Sequence, residues 1–144
     1  MEKQPQFPFA PKGFARCLNA TCPRSQNCLR RTAALQDTDE HLFLKVVNPL
    51  RYPKEGEECE LFRSTDKVRM AWGVTHLLDN VPYKEGSLLR NMIINHLGRS
   101  QYYRCFRKER PFAPQDQQTI RMLFRQRGIS EEPSFDYYTN EFNW

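Results

Sequence analysis

Four cysteines near the start of this chain constrain its fold more than any other feature. They are Cys17, Cys22, Cys28 and Cys59, separated by four, five and thirty residues. A structural zinc ion takes four thiolate or imidazole ligands at tetrahedral corners, and neighbouring ligands are usually two to four residues apart. The first gap meets that limit and the second just exceeds it. The spacing therefore predicts one closed metal site, occupied by zinc.

An iron–sulfur cluster is the alternative metal group, although cluster proteins more often carry C-x-x-C runs and this chain has none. Two other interpretations stay open, since free cysteines also serve as small buried apolar residues and two of them could form a disulfide. Arg16, Arg24, Arg30 and Arg31 lie nearby in sequence and would offset the negative charge of a zinc ion bound by four thiolates. The fifth cysteine, Cys105, falls in a predicted helix and is interpreted as a core residue.

The hydrophobic pattern predicts an α+β fold that is mainly helical, with a helical bundle after an N-terminal metal knot. We expect a cysteine-rich metal-binding region over residues 1–63 and a helical region over 64–144, packed as one continuous domain. In the first region, residues 41–48 and 59–63 are predicted to pair as a short β-hairpin. Helices are predicted over 29–35, 64–78, 87–97, 100–108 and 114–128, and the aromatic tail over 135–144 is expected to dock as a last short helix. An extended N-terminal arm is expected to be pinned by Phe7 and Phe9.

The basic charge is concentrated in one stretch. Residues 99–127 contain eight Lys and Arg against two Asp and Glu, which is a net charge of +6. The segment from Leu88 to Arg104 is similar to the helix-turn-helix of many bacterial regulators, with a glycine between two helices and Ser100 at the start of the second. That resemblance implies DNA or RNA binding through phosphate and base contacts. The candidate contact residues are Arg99, Ser100, Gln101, Tyr102, Tyr103, Arg104, Arg107, Lys108 and Arg110. The alternative is a core-forming helical hairpin with a solvated basic face.

Several functions are not predicted. No apolar run is long enough to span a membrane, and the N-terminus lacks the apolar segment of a secretory signal. We therefore expect a cytoplasmic protein without a membrane partner, in which the thiols stay reduced. The sequence contains no Ser-His-Asp spacing, no phosphate-binding glycine loop and no H-E-x-x-H motif, so it does not predict an enzyme. The alternative function is a protein–protein adaptor with a structural metal site, anchored by Phe7 and Phe9 or by Phe142 and Trp144.

Three motifs also resemble those of an uncharacterised family of small bacterial proteins, a domain of unknown function with a cysteine-rich N-terminus. They are the Tyr-Pro-Lys-x-Gly-x-x-Cys segment over Tyr52–Cys59, the Gly-Arg-Ser-x-Tyr-Tyr-Arg segment over Gly98–Arg104, and the aromatic tail over Phe135–Trp144. The resemblance spans nearly the whole chain. It implies a bacterial cytosolic origin and no particular activity.

Overall fold

The computed structural model describes residues 8–36 and 38–144, which form two compact units. Unit 1 contains the described residues up to Asp66 together with Phe142–Trp144, and unit 2 contains Lys67–Glu141. The described chain is a small α+β protein with four helices and one two-stranded antiparallel sheet. The predicted fold class is therefore confirmed at this level, and the metal knot stays a prediction.

Unit 1 is built on a short helix, α1 (Leu29–Ala34), as predicted from the sequence. Leu29 and Ala33 on its inner face are fully buried. They form a small apolar core with Phe14, and Phe142 and Trp144 pack against it. The Trp144 ring meets Phe14 edge-on, with 5.4 Å between the ring centroids. The aromatic tail is therefore docked, as expected.

Isolated bridges take the place of the β-hairpin predicted in this region. Val46 pairs with Arg16 in a parallel bridge, and Cys28 pairs with Ser64 in an antiparallel one. The predicted strand over residues 41–48 is wrong, because β-forming side chains favour a strand only where they pack on a neighbour, and Leu42 and Phe43 are at least nine-tenths exposed. Residues 59–62 form a turn instead of the second strand.

Unit 2 contains three consecutive helices that agree with the predicted ones. They are α2 (Tyr83–Leu97), α3 (Arg99–Phe106) and α4 (Pro114–Gln126). Their buried side chains, which include Leu89, Ile93, Ile120 and Phe124, share one core with Phe112. Pro114 begins α4, where its missing N–H leaves no hydrogen bond unmade. The bounds of α3 and α4 differ from the predicted ones by one or two residues, and α2 begins four residues earlier than Ser87.

Two strands, β1 (Lys67–Trp72) and β2 (Tyr137–Phe142), replace two predicted helices. The helix predicted over residues 64–78 and the helical tail are both wrong. The indole N–H of Trp72 donates to Thr139 Oγ1 at 2.7 Å, and its ring stacks on Tyr137 at 5.9 Å with an angle of 8° between the planes. These cross-strand contacts join residues more than 60 positions apart, so no local sequence window contains them.

Candidate metal centre

The four predicted metal ligands line one cavity in unit 1. Cys17, Cys22, Cys28 and Cys59 all face a space of about 30 Å³. Cys28 is buried and the other three are half-buried. Cys28 immediately precedes α1, whereas Cys59 reaches the cavity from a distant loop. The fold therefore brings together cysteines that are far apart in the sequence.

Backbone hydrogen bonds hold each cysteine at this cavity. The Cys17 N–H donates to the Arg30 carbonyl at 3.0 Å, which ties the first cysteine to α1. The Cys28 carbonyl accepts from both the N–H and the hydroxyl of Thr32, at 3.0 and 3.1 Å. Cys22 and Cys59 each open a tight turn, because their carbonyls accept the N–H three residues further on, at 3.1 and 3.2 Å. The cysteines thus sit on hydrogen-bonded backbone at four points.

Arg30 places a positive charge against the cavity. Its guanidinium donates to the Leu61 carbonyl at 2.7 Å and to the Ala15 carbonyl at 3.1 Å. Arg30 therefore connects α1 to the two segments that contain these carbonyls. Burial lowers the pKa of Arg30, and repulsion from Arg63 lowers it further. Negative charge on the sulfurs of Cys28, Cys59 and Cys17 acts in the opposite direction on the Arg30 pKa. The guanidinium and the thiols are therefore within electrostatic reach of each other.

Two of the four predicted arginine neighbours line this cavity. They are Arg30 and Arg31, and Arg31 also donates to the Cys17 carbonyl at 3.5 Å. Arg24 lies with its guanidinium 3.4 Å from the ring centre of Phe62, a residue of the cavity wall. Arg51, which the sequence pattern did not single out, also lines the space. Its position follows from a loop that comes back to the cysteines, and no local motif signals it.

The thiols line one cavity, but they do not form a ready-made ligand set there. All five cysteines of the chain are free thiols. Within residues 8–36 and 38–144, no group of three or more His, Cys, Asp or Glu side chains is already arranged to hold a metal ion. A cavity of about 30 Å³ has room for one or two water-sized bodies.

Cys105 lies away from this cavity, in the core of unit 2. It is almost completely buried in α3, and its sulfur lies 3.9 Å from the Pro111 carbonyl oxygen. Burial raises the pKa of the Cys105 thiol, which keeps it protonated and a poor nucleophile. Its position agrees with its interpretation as a core residue.

The segment predicted to be helix-turn-helix-like has a different connection. A single residue, Gly98, joins α2 to α3, with a φ of 86°. The DNA-binding motif uses a turn of three or four residues between its helices. Tyr102, one of the candidate contacts, is 6% exposed and belongs to the core of unit 2. This segment is therefore not shown to be a helix-turn-helix.

Most of the Lys and Arg side chains in the basic stretch form ion pairs with carboxylates. Six of the eight cations in residues 99–127 lie within 4.0 Å of a carboxylate oxygen. The pairs are Arg104 and Arg107 with Glu109, Lys108 with Asp136, Arg121 and Arg125 with Glu132, and Arg127 with Glu85. Of the other two cations, Arg110 donates to Gln101 Oε1 at 2.8 Å and Arg99 lies over the Tyr103 ring. Three of the acids lie outside the stretch, so its local charge of +6 overstates the field that it presents.

The proposed adaptor anchors are divided between exposed and packed positions. Phe9 is 72% exposed and does not pin the arm, and Phe7 lies outside the described residues. Phe142 and Trp144 pack on the core of unit 1.

In the described part of the chain, no helix has both the length and the apolar character needed to cross a membrane.

The fold and this cavity define a small α+β protein in which four cysteines converge on one space. The chain belongs to a family of unknown function, DUF6078, whose model matches residues 1–144. The predicted membership of an uncharacterised family is thereby confirmed, and the bacterial origin stays a prediction. No curated protein and no solved structure matches the chain.

Proposed function

We propose that this chain is a small cytoplasmic zinc protein in which Cys17, Cys22, Cys28 and Cys59 form a closed structural site. One observation carries the proposal: these four cysteines, and no others, line the same cavity of about 30 Å³. The proposal requires the thiols to move to tetrahedral positions around one ion, since they are not arranged in that way here. Four protein ligands leave no open coordination position for a substrate, which favours a structural role over a catalytic one.

The charge around the cavity supports this ligand set. Zinc with four thiolates carries a net charge of about −2, which is costly to bury without compensation. Arg30 and Arg31 line the cavity and supply positive charge, and the Arg30 side chain is fixed by two backbone carbonyls. The ion would connect the start of α1 to the loops that carry Cys17 and Cys59. Its binding free energy would therefore add to the folding free energy of unit 1.

A melting experiment with matched cysteine variants tests this proposal. Cys59→Ser removes one predicted ligand, and Cys105→Ser removes a cysteine from the core of unit 2. Unfolding of unit 1 can be followed by Trp144 fluorescence in a Trp72→Phe background, because these are the only two tryptophans. We expect a zinc chelator to lower the melting temperature of the parent and of Cys105→Ser by about 10 °C or more.

Cys59→Ser should already melt at the lower temperature and should not respond to the chelator. A chelator that leaves the parent unchanged would contradict the proposal, as would equal chelator responses from both serine variants. A brown protein after purification without air would indicate an iron–sulfur cluster in place of zinc.

Nucleic-acid binding by residues 99–110 is a weaker second candidate. Its support is that Arg99 and Ser100 at the start of α3 and Arg104 in its last turn are exposed. Exposed ion pairs contribute little to stability, so their cations can exchange a carboxylate for a phosphate. The pairing of six of the eight cations and the burial of Tyr102 are the reasons for placing it second.

A further inference from the structure

Unit 1 contains a second, larger cavity that the zinc proposal does not use. This groove has a volume of about 450 Å³ and is lined by Arg30, Lys45 and Arg63 together with Phe14 and Trp144. None of the described residues that line it carries a carboxylate side chain. The groove therefore combines three cations with two aromatic rings.

The cations of the groove are not balanced as those near α3 are. Arg63 donates to the Asn143 carbonyl at 3.3 Å, and Arg30 donates to two carbonyls, so these contacts are to neutral groups. Each guanidinium has five N–H donors, and these bonds use only some of them. Arg30 is already held by two carbonyls, so Arg63 and Lys45 provide the main attraction for an anion.

The aromatic rings give the groove an apolar surface beside these charges. The Arg30 guanidinium lies 4.7 Å from the ring centre of Phe14, and Trp144 meets the same ring edge-on. An aromatic surface next to Arg and Lys is the combination that single-stranded nucleic acids and nucleotides bind, because bases stack while phosphates pair with the cations. An inorganic anion would contact the cations of this groove but would have no base to stack on its aromatic rings.

We propose that this groove binds a nucleotide unit, with the phosphate at Arg63 and Lys45 and the base against Trp144. The unit belongs either to a free nucleotide or to a single strand, since both present the same phosphate and base. This proposal does not depend on zinc, because the phosphate contacts come from residues outside the four-cysteine cavity. It also assigns nucleotide binding to a different surface from the α3 segment.

A binding experiment with charge-matched variants tests the groove. The probes are a fluorescein-labelled single-stranded oligothymidylate of about 12 nucleotides, followed by anisotropy, and AMP, followed by Trp144 fluorescence in a Trp72→Phe background. Both are measured at about 50 mM salt. The test variants are Arg63→Gln and Lys45→Gln. Lys54→Gln removes the same charge from unit 1 outside the groove, and Arg104→Gln reports on the α3 segment.

We expect Arg63→Gln and Lys45→Gln each to weaken binding about tenfold, while Lys54→Gln and Arg104→Gln stay within about twofold of the parent. Binding of AMP identifies a free nucleotide, and binding of the oligonucleotide alone identifies a single strand. The proposal fails if neither probe binds, if inorganic phosphate competes as well as AMP, or if either control weakens binding as much as Arg63→Gln. Should Arg63→Gln not fold, the exposed Lys45 decides the outcome alone.

Discussion

At the scale of single residues, Gly73 is the most restricted of the glycines. It follows β1 with a φ of 80°, a conformation that side chains rarely adopt. A Cβ built there would overlap the carboxylate of Asp136 and approach the Lys108 side chain at 2.8 Å. That carboxylate accepts a hydrogen bond of 2.7 Å from the Thr75 hydroxyl and lies 3.3 Å from the Lys108 amine. Glycine is therefore required here for both its backbone angle and its size.

We predict that Gly73→Ala lowers the free energy of unfolding of unit 2 by about 3 kcal/mol, as measured by urea titration. The matched control is Gly128→Ala, since Gly128 has a φ of 75° and nothing within 4 Å of its added Cβ. The control should lose only about 1 kcal/mol, the cost of the backbone angle alone. Equal losses from the two variants would show that Asp136 and Lys108 do not restrict this position.

At the scale of secondary structure, the helices were predictable and the strands were not. Helices α2, α3 and α4 follow from apolar spacing, Gly98 and Pro114, which are all signals within about 15 residues. In β1, Val68, Met70 and Trp72 fit a strand, but with Ala71 and Leu77 they also fit a helix. The deciding partners are in β2, more than 60 residues away, and the Ala71 N–H also pairs with the Phe112 carbonyl at 3.1 Å.

An ion pair joins two of these helices and makes a pH-dependent prediction. Arg127, at the end of α4, donates two hydrogen bonds to Glu85 in the first turn of α2, at 2.6 and 2.9 Å. The bonds to Arg127 lower the pKa of Glu85 below its ordinary value. A carboxyl group with a lower pKa in the folded state stabilises the fold at neutral pH, and this contribution is lost as the pH falls through the folded-state pKa.

We therefore expect Glu85→Gln to flatten the fall in melting temperature of unit 2 between about pH 5 and pH 3. At pH 7 the variant should melt below the parent protein, and the two curves should converge in acid. Glu131→Gln, a change at an exposed glutamate of the same unit, should follow the parent curve. A Glu85→Gln curve parallel to the parent over the whole range would contradict the role of this pair.

At the scale of the whole molecule, the sequence predicted which cysteines come together, but it did not predict the contacts of the residues around them. Spacing alone selected Cys17, Cys22, Cys28 and Cys59, and the structure places these four on one cavity. The hydrogen bonds of the Arg30 side chain were not predictable, because they depend on the carbonyls of loops that are distant in sequence. The basic stretch was misleading for the same reason, since its local charge omits the acids that fold back onto it.

The central claim is that the four converging cysteines hold one zinc ion, and the direct test is metal content. Protein purified under reducing conditions without chelators should contain one zinc atom per chain by elemental analysis. Cys28→Ser should lose that zinc, because Cys28 is the buried ligand next to α1, whereas Cys105→Ser should retain it. A parent protein without zinc, or a Cys28→Ser protein that still contains one zinc per chain, would contradict the claim.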